Sequence, residues 1–321
     1  MLINRDEGIS NVEYNELWDR IEKEKSNIIN KDYRIEKILK TIQSHKPNKD
    51  TILSNIEIIY GEIFGIYEYV YHAVIDITAK VDEKSNATRK TYRYDSIIHI
   101  HCRACQIALE ILCLLKNGFA DGAFARCRTL WELVIYSNFI NTYGESVAQA
   151  YWEQAREENP SKNAVWAKEA SCFEKNKKAQ GGSITFDDIR RNCKMPEDVI
   201  KSWDNFNIHS SKVVHASPIA TFGRLLNKKA IEHNALVVGH SIEGLWFPVK
   251  YALLFLFQST NEFTSMALGE ETFKQYYLKS LVHEELLNQV LETTVFLSEW
   301  INAANYLIHP FESTFLANDS K

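Results

Sequence analysis

The sequence predicts an all-α protein, a multi-helix bundle with an N-terminal helical hairpin. Three observations carry that expectation. Glycine and proline are sparse, 12 and 6 in 321 residues, as long helices require, because either residue weakens or ends a helix. Apolar residues recur at three- and four-residue steps through much of the chain, the spacing of one helix face. Ser96 to Lys116 is a mostly apolar run without glycine or proline, and on length it is a buried helix rather than a strand.

The N-terminal third reads as two helices. From Asn11 to His45, Leu17, Ile21, Ile28, Ile35, Ile38, Leu39 and Ile42 keep helical spacing, with Lys and Glu on the opposite faces as a solvated surface. Pro47 and the Asn48-Lys49-Asp50 cluster are expected to break this pattern. Thr51 to Lys80 is the second helix of the hairpin, where Gly61 and Gly65 would let a neighbour approach closely. Glu68, His72 and Asp76 fall at successive fourth positions and share a face. Carboxylate and imidazole suit a divalent metal, but no Glu-x-x-His pair of the di-iron kind occurs in the chain, so a polar or partner-binding stripe is the favoured reading. Val81 to Lys90 is polar and reads as a loop. The expected division is an appendage over 1–90, a helical core over 91–310 and a tail over 311–321.

The centre of the chain is Asn117 to Glu132. Gly118 is the expected stop of the apolar helix, since a residue without Cβ adopts the left-handed turn cheaply, and Asp121 is placed to cap the next helix. On that helix Arg128 and Glu132 stand four apart and can pair. On the preceding one His99, Arg103, Gln106 and Glu110 form a polar stripe. Were the two stripes to face each other, they would form a polar seam, read first as a network fixing helix register and second as a catalytic seam.

Further on, Ser146 to Glu158 is helical and Asn159-Pro160-Ser161 stops it. Lys168 to Gln180 is basic and, with Gly181-Gly182-Ser183, reads as an exposed connection. Thr185 and Asp188 have the spacing of a capping box. Pro196 stands where a first helical residue should, followed by Glu197 and Asp198 in the dipole-favoured first turn. Pro218 ends that helix near Ala216, leaving His215 in its last turn, where the helix terminus favours the imidazolium. Leu236 to His240 and Gly244 to Phe247 read as loop or short strand, and Tyr251 to Leu268 and Thr272 to Asn305 as two closing helices.

A net charge of −5 supplies no global basic field to draw the protein to nucleic acid or anionic lipid. The N-terminus lacks the charged-then-apolar order of a signal peptide. Charges interrupt Ile52 to Ile77, and Gly244 to Phe257 is short, so neither is a membrane span; a cytoplasmic protein without membrane partners is expected. Cys102 and Cys105 form a CxxC without a second pair, which reads as small apolar residues rather than a zinc site. Walker, Rossmann, GxSxG and HExxH signatures are missing.

The central segment resembles the uncharacterised, mainly bacterial family called domain of unknown function 5677. The resemblance rests on Asn117-Gly118-Phe119, Asp121-Gly122-Ala123, Ala125-Arg126, Arg128-Thr129-Leu130 and Glu132. Val214-His215-Ala216-Ser217 is a second match, and Thr185-Phe186 with Asp188-Ile189 a third. It covers roughly 92–263 and departs at Cys127, often Trp in that family, at Trp131, often His, and at Lys212, usually a polar residue.

Two functional expectations follow. One is an effector of bacterial defence or stress acting on RNA or nucleotides in a polar helical cleft, a metal-independent, cofactor-free RNase-like hydrolase or phosphotransferase. In it His215 is the general acid/base, Arg128 stabilises a developing phosphorane and Glu132 orients the arginine. HEPN-type nucleases are the analogy, in helical architecture only. The other is a non-catalytic scaffold, sensor or antitoxin-like module with an operon-encoded protein partner. Either is expected to form homo-oligomers, and the first to meet RNA. A nuclease brings Arg128, Glu132 and His215 together in an accessible cleft. A scaffold seals them and shows an apolar patch elsewhere.

Overall fold

In a computed structural model, the structure describes residues 31–85, 90–157, 164–174, 184–214, 239–242 and 244–268, with scattered positions between 16 and 23. The fold is all-α. Its helices are α1 (Lys31–Lys84), α2 (Tyr92–Lys116), α3 (Ala120–Tyr143), α4 (Glu145–Gln154), α5 (Phe186–Arg191), α6 (Glu197–Val214) and α7 (Trp246–Leu268), with 3-10 turns at Val165–Glu169 and Ser171–Phe173.

α3 is the axis of the bundle. Ala120, Ala123, Phe124, Cys127, Leu130, Trp131, Val134, Ile135 and Phe139 are buried over about half of its circumference, and Arg126, Arg128 and Glu132 occupy the half-buried remainder. α2, α4, α5, α6 and α7 all pack on it. On one side Phe206 of α6 is fully buried among the rings of Phe124, Trp131, Tyr251 and Phe255. A buried ring of this size contributes roughly 1.5–3 kcal/mol. α2 is long and apolar enough to cross a membrane, alone among the described helices, yet Ile97, Ile100, Ala104, Ile107, Ala108, Ile111 and Leu115 are buried inside the bundle.

The break expected at Pro47 is absent: α1 runs through it from Lys31 to Lys84, roughly 80 Å at 1.5 Å per residue. A mid-helix proline removes one backbone donor and strains the turn before it. Here the flanking residues are exposed, so water can serve the carbonyl that loses its partner. The two arms of the expected hairpin are therefore one rod in this region, and residues 1–30 lie almost wholly outside the described ones. The first buried residue of α1 is Ile56. From there to Val81 the helix lies against α2 and α7 and shares their core; Ile52 and Leu53 are half-buried against its edge, and the helix before them extends beyond it.

Other boundaries moved for local reasons. Helix α1 continues through Val81 to Lys84, and α4 stops at Gln154. Asp121 lies inside the first turn of α3, whose N-cap is Phe119 without a side-chain bond. Residues 165–173 are not an exposed connection, because Trp166, Ala167, Ala170 and Phe173 are buried. α7 begins at Trp246, with Pro248 in its first turn, where a missing N–H leaves no bond unmade. The sequence reads Trp203, Trp246, Tyr276 and Tyr277 as exposed aromatics that favour the interaction module, but Trp203 and Trp246 are buried; Tyr276 and Tyr277 lie outside the described residues. Neither Gly61 nor Gly65 admits a neighbouring helix, for a Cβ at Gly61 meets only Glu57 of its own helix and one at Gly65 meets nothing within 4 Å.

Gly118 fulfils its expected role and a further one. Its φ is 72°, and Ser241 N–H donates to its carbonyl at 3.1 Å. His240 Nδ1 meets Asn117 O at 2.6 Å, its ring lies 4.9 Å from that of Phe119, and Tyr60 Oη of α1 donates to Ile242 O at 3.3 Å. Residues 239–242 thus strap the α2–α3 turn to α1. A Cβ at Gly118 would stand 2.8 Å from both the N and O of Ser241. Gly118→Ala is expected to lower unfolding free energy by about 2–4 kcal/mol through strain and clash. Gly65→Ala, in open helical space, is expected to raise it by up to about 1 kcal/mol. Urea denaturation of the two variants reads the opposite signs.

Candidate functional site

Arg128 and Glu132 form the expected i, i+4 pair on α3, Nε to Oε1 at 3.3 Å, with side chains 26% and 34% exposed. One turn further along the same face, Tyr136 packs edge-on against Trp166 and Phe186. Its hydroxyl is pushed up to about 12, first by burial and then by the Glu132 carboxylate. This row is half-buried, and solvent reaches its charged end.

The polar stripe of α2 does not face that row. Arg103 donates to Gln106 at 2.6 Å and to Glu110 at 3.3 Å, and the other oxygen of Glu110 pairs with Arg126. Arg126 and Arg128 are two residues apart and so point to nearly opposite sides of a helix. The cross-helix contact belongs to Arg126, and its stripe is at the surface, with Arg103 and Gln106 exposed. His99 is exposed too, its Nδ1 at 2.6 Å from Asp95 O. The Nε of Arg126 is buried and makes no hydrogen bond among the described residues.

His215 is the first residue beyond the described end of α6, so its distance from Arg128 and Glu132 lies outside the described residues. At the family's frequent histidine position, Trp131 is 1% exposed and packs edge-on against Phe186 and Phe206. Cys127, at its frequent tryptophan position, is fully buried and donates its thiol to Pro248 O at 3.4 Å. Together they make this side of α3 core rather than cleft. Of the α1 trio, Glu68 accepts from Lys116 Nζ at 2.5 Å, while His72 and Asp76 are exposed. Among the described residues no group of three or more His, Cys, Asp or Glu is placed to hold a metal. Of the CxxC pair, Cys105 is buried and Cys102 exposed, so the reading as small apolar residues holds for Cys105 alone, whose thiol is pushed up to about 12 by burial.

The sequence reading takes the chain to lack an arginine followed four to six residues later by a histidine, the spacing of HEPN nucleases, but one such pair is present. His99 follows Arg93 by six residues, and sequence reasoning passed over it. Both lie on α2, where six residues leave them about 120° apart around the axis. The two side chains do not converge.

Two polar centres were not anticipated. His101 is fully buried, stacked on Phe263 at 5.1 Å and 4°, with Nε2 at 2.8 Å from Thr78 Oγ1 and Nδ1 at 3.0 Å from Ser259 Oγ. Because Thr78 gives its proton to Val74 O, it accepts from Nε2–H, and Ser259 donates to Nδ1. The neutral ring is satisfied and ties α1, α2 and α7 together; burial lowers its pKa to about 4. The signal was its four-residue spacing from Ile97 and Cys105 on the apolar face. The second centre is Glu262 of α7, whose carboxylate accepts from Asn138 at 2.9 Å and Asn141 at 2.7 Å on α3. Asn138 also clamps the backbone of Lys194, accepting from its N–H at 3.0 Å.

Residues 94–230 match a family of unknown function (DUF5677). The matched stretch begins in α2 and takes in the whole of α3 through α6; the resemblance read from the sequence extends further, to about residue 263, whereas α1 and α7 lie outside the match. No curated protein and no solved structure matches the chain.

His101 makes stability pH-dependent. Its folded pKa of about 4 lies below the ordinary histidine value of 6.5, so between those values the unfolded chain binds the extra proton. This contribution is full above 6.5 and is lost as the pH falls toward 4, by up to about 3 kcal/mol. His101→Gln is expected to flatten that part of a stability-against-pH curve measured by urea unfolding. Glu262→Ala is expected to cost about 1–3 kcal/mol at neutral pH, because two charge-assisted bonds go and the Asn138 and Asn141 amides keep only backbone acceptors, Lys194 O and residue 262 O.

Proposed function

We propose that the protein is a non-catalytic helical interaction module whose contact surface is the projecting end of α1. The observation that carries this reading is an uncovered aliphatic stripe: Ile35, Ile38, Leu39 and Ile42 are 45%, 55%, 52% and 59% exposed. They stand at i, i+3, i+4 and i+7 of a helix that continues straight into the core. Single exposed aliphatics are ordinary, but four on one face of a helix extending beyond its bundle mark a docking surface. The centre of the matched stretch supports the same reading, since Trp131 and Cys127 fill the places where a cleft would open.

The phosphoryl-transfer reading draws on one observation, the solvent access of Arg128 and Glu132. Incubation of the full chain with mixed RNA, with and without divalent metal, separates the two. No products are expected. Products that disappear in Arg128→Ala and His215→Ala would replace the module with a nuclease. The stripe itself is expected to be dispensable for folding, so the unfolding free energy of an Ile38→Glu/Ile42→Glu variant should stay within about 0.5 kcal/mol of the parent.

A further inference from the structure

We infer that the projecting end of α1 pairs with the same segment of a second copy, antiparallel, about a two-fold axis near residue 40. This rests on reading that segment as a contact surface and names its partner.

The stripe is continuous with an interface already formed inside the molecule. Ile35 and Ile42 fall in the same seven-residue register as Ile56, Ile63 and Val70, which are buried against the bundle, and Ile38 stands a whole number of helical turns before Ile56. The face that α2 and α7 cover from Ile56 onward therefore runs on uncovered toward the N-terminus. A face of this kind is completed by another amphipathic helix, and the segment is its own complement in one orientation. With two copies antiparallel and centred on residue 40, Ile38 of each faces Ile42 of the other, Ile35 faces His45, and the two Leu39 side chains flank the axis. Beside the seam, Asp32 of one copy falls opposite Lys46 of the other, twice by symmetry, Arg34 opposite Asn48, and Thr41 opposite itself. Such an arrangement is isologous and closes on itself as a dimer.

The alternatives fit less well. A parallel pair sets Ile38 against Ile38 but places Lys46 beside Thr41 and Arg34 beside Leu39, so no opposite charges meet. It also brings both bundles to the same end of the rod, whereas the antiparallel pair separates them. Polar residues end the seam and fix the register, since His45 and Lys49 occupy the next two core positions. Residues 270–300, with six acidic and two basic side chains, are a competing occupant for a segment that carries six basic and three acidic residues over 31–50. They follow α7, which runs from the Gly118 turn toward His101 and Tyr94. The chain therefore leaves α7 at the end of the bundle farthest from Ile35.

The test uses the full chain. Sedimentation equilibrium from the micromolar to the millimolar range should show the 37.1 kDa protomer giving way to twice that mass. Ile38→Glu and Ile42→Lys should each weaken the dimer by at least about ten-fold. Mixed in equal amounts they should restore it, because the Ile38→Glu carboxylate then faces the Ile42→Lys ammonium of the other copy in one layer and two isoleucines meet in the other. A monomer at every concentration overturns the pairing, as does a dimer that both variants leave intact. Two monomeric variants with no rescue on mixing overturn the antiparallel register. Slow amide exchange at residues 33–44 in a monomer overturns the second copy as occupant while the contact-surface reading stands. That reading fails separately, on RNA cleavage that requires Arg128.

Discussion

The close approach of residues 239–242 to Gly118 is the constraint on which the rest of the architecture depends. At that point the chain reverses between α2 and α3, a distant segment lies across the turn, and α1 leaves the body. The Ser241 amide at 3.1 Å from Gly118 O leaves no room for a Cβ, and the positive φ independently disfavours one. Local conformation and tertiary contact thus demand the same residue. Phe119, His240 and Tyr60 complete the junction, so three stretches far apart in sequence are fixed relative to one another by a few hydrogen bonds and one ring contact.

Around α3 the molecule uses polar groups in two distinct ways. Inside, they are neutral or matched: His101 between two hydroxyls, and Glu262 between two asparagine amides. These bonds cross between helices and set their register, which an apolar interface alone leaves free to slide. At the surface, Arg103, Glu110 and Arg126 form a solvated ladder, where ion pairs contribute little. Arg128 and Glu132 are intermediate, and beside them Trp131 and Cys127 close the packing. Rings fill the centre of the bundle, while the projecting end of α1 keeps its aliphatic face exposed.

That end also explains how one helix can have two roles. The same seven-residue pattern is covered from Ile56 onward and uncovered before it. Burial in one half anchors the rod, while in the other the aliphatic face stays exposed. Pro47 sits in the uncovered half, where solvent accommodates the defect in hydrogen bonding at least cost.

Much of this was written in local chemistry. Helical period, the glycine at 118, the capping box of Thr185 and Asp188, and the pairing of Arg128 with Glu132 all depend on residues within one or two turns, and the sequence alone determined them. It also determined the resemblance that the match over 94–230 now supports. What tertiary structure decided were questions of which face meets which. Arg126 rather than Arg128 contacts α2, because a rotation of 200° separates them and only packing chooses the side. His101 rather than His99 is the interior histidine, for the same reason. Pro47 fails to break α1, because helix-breaking is a penalty weighed against the whole rod and not a rule of the residue. The uncovered stripe at Ile35 to Ile42 was visible as periodicity but not as exposure, since burial belongs to the assembled chain.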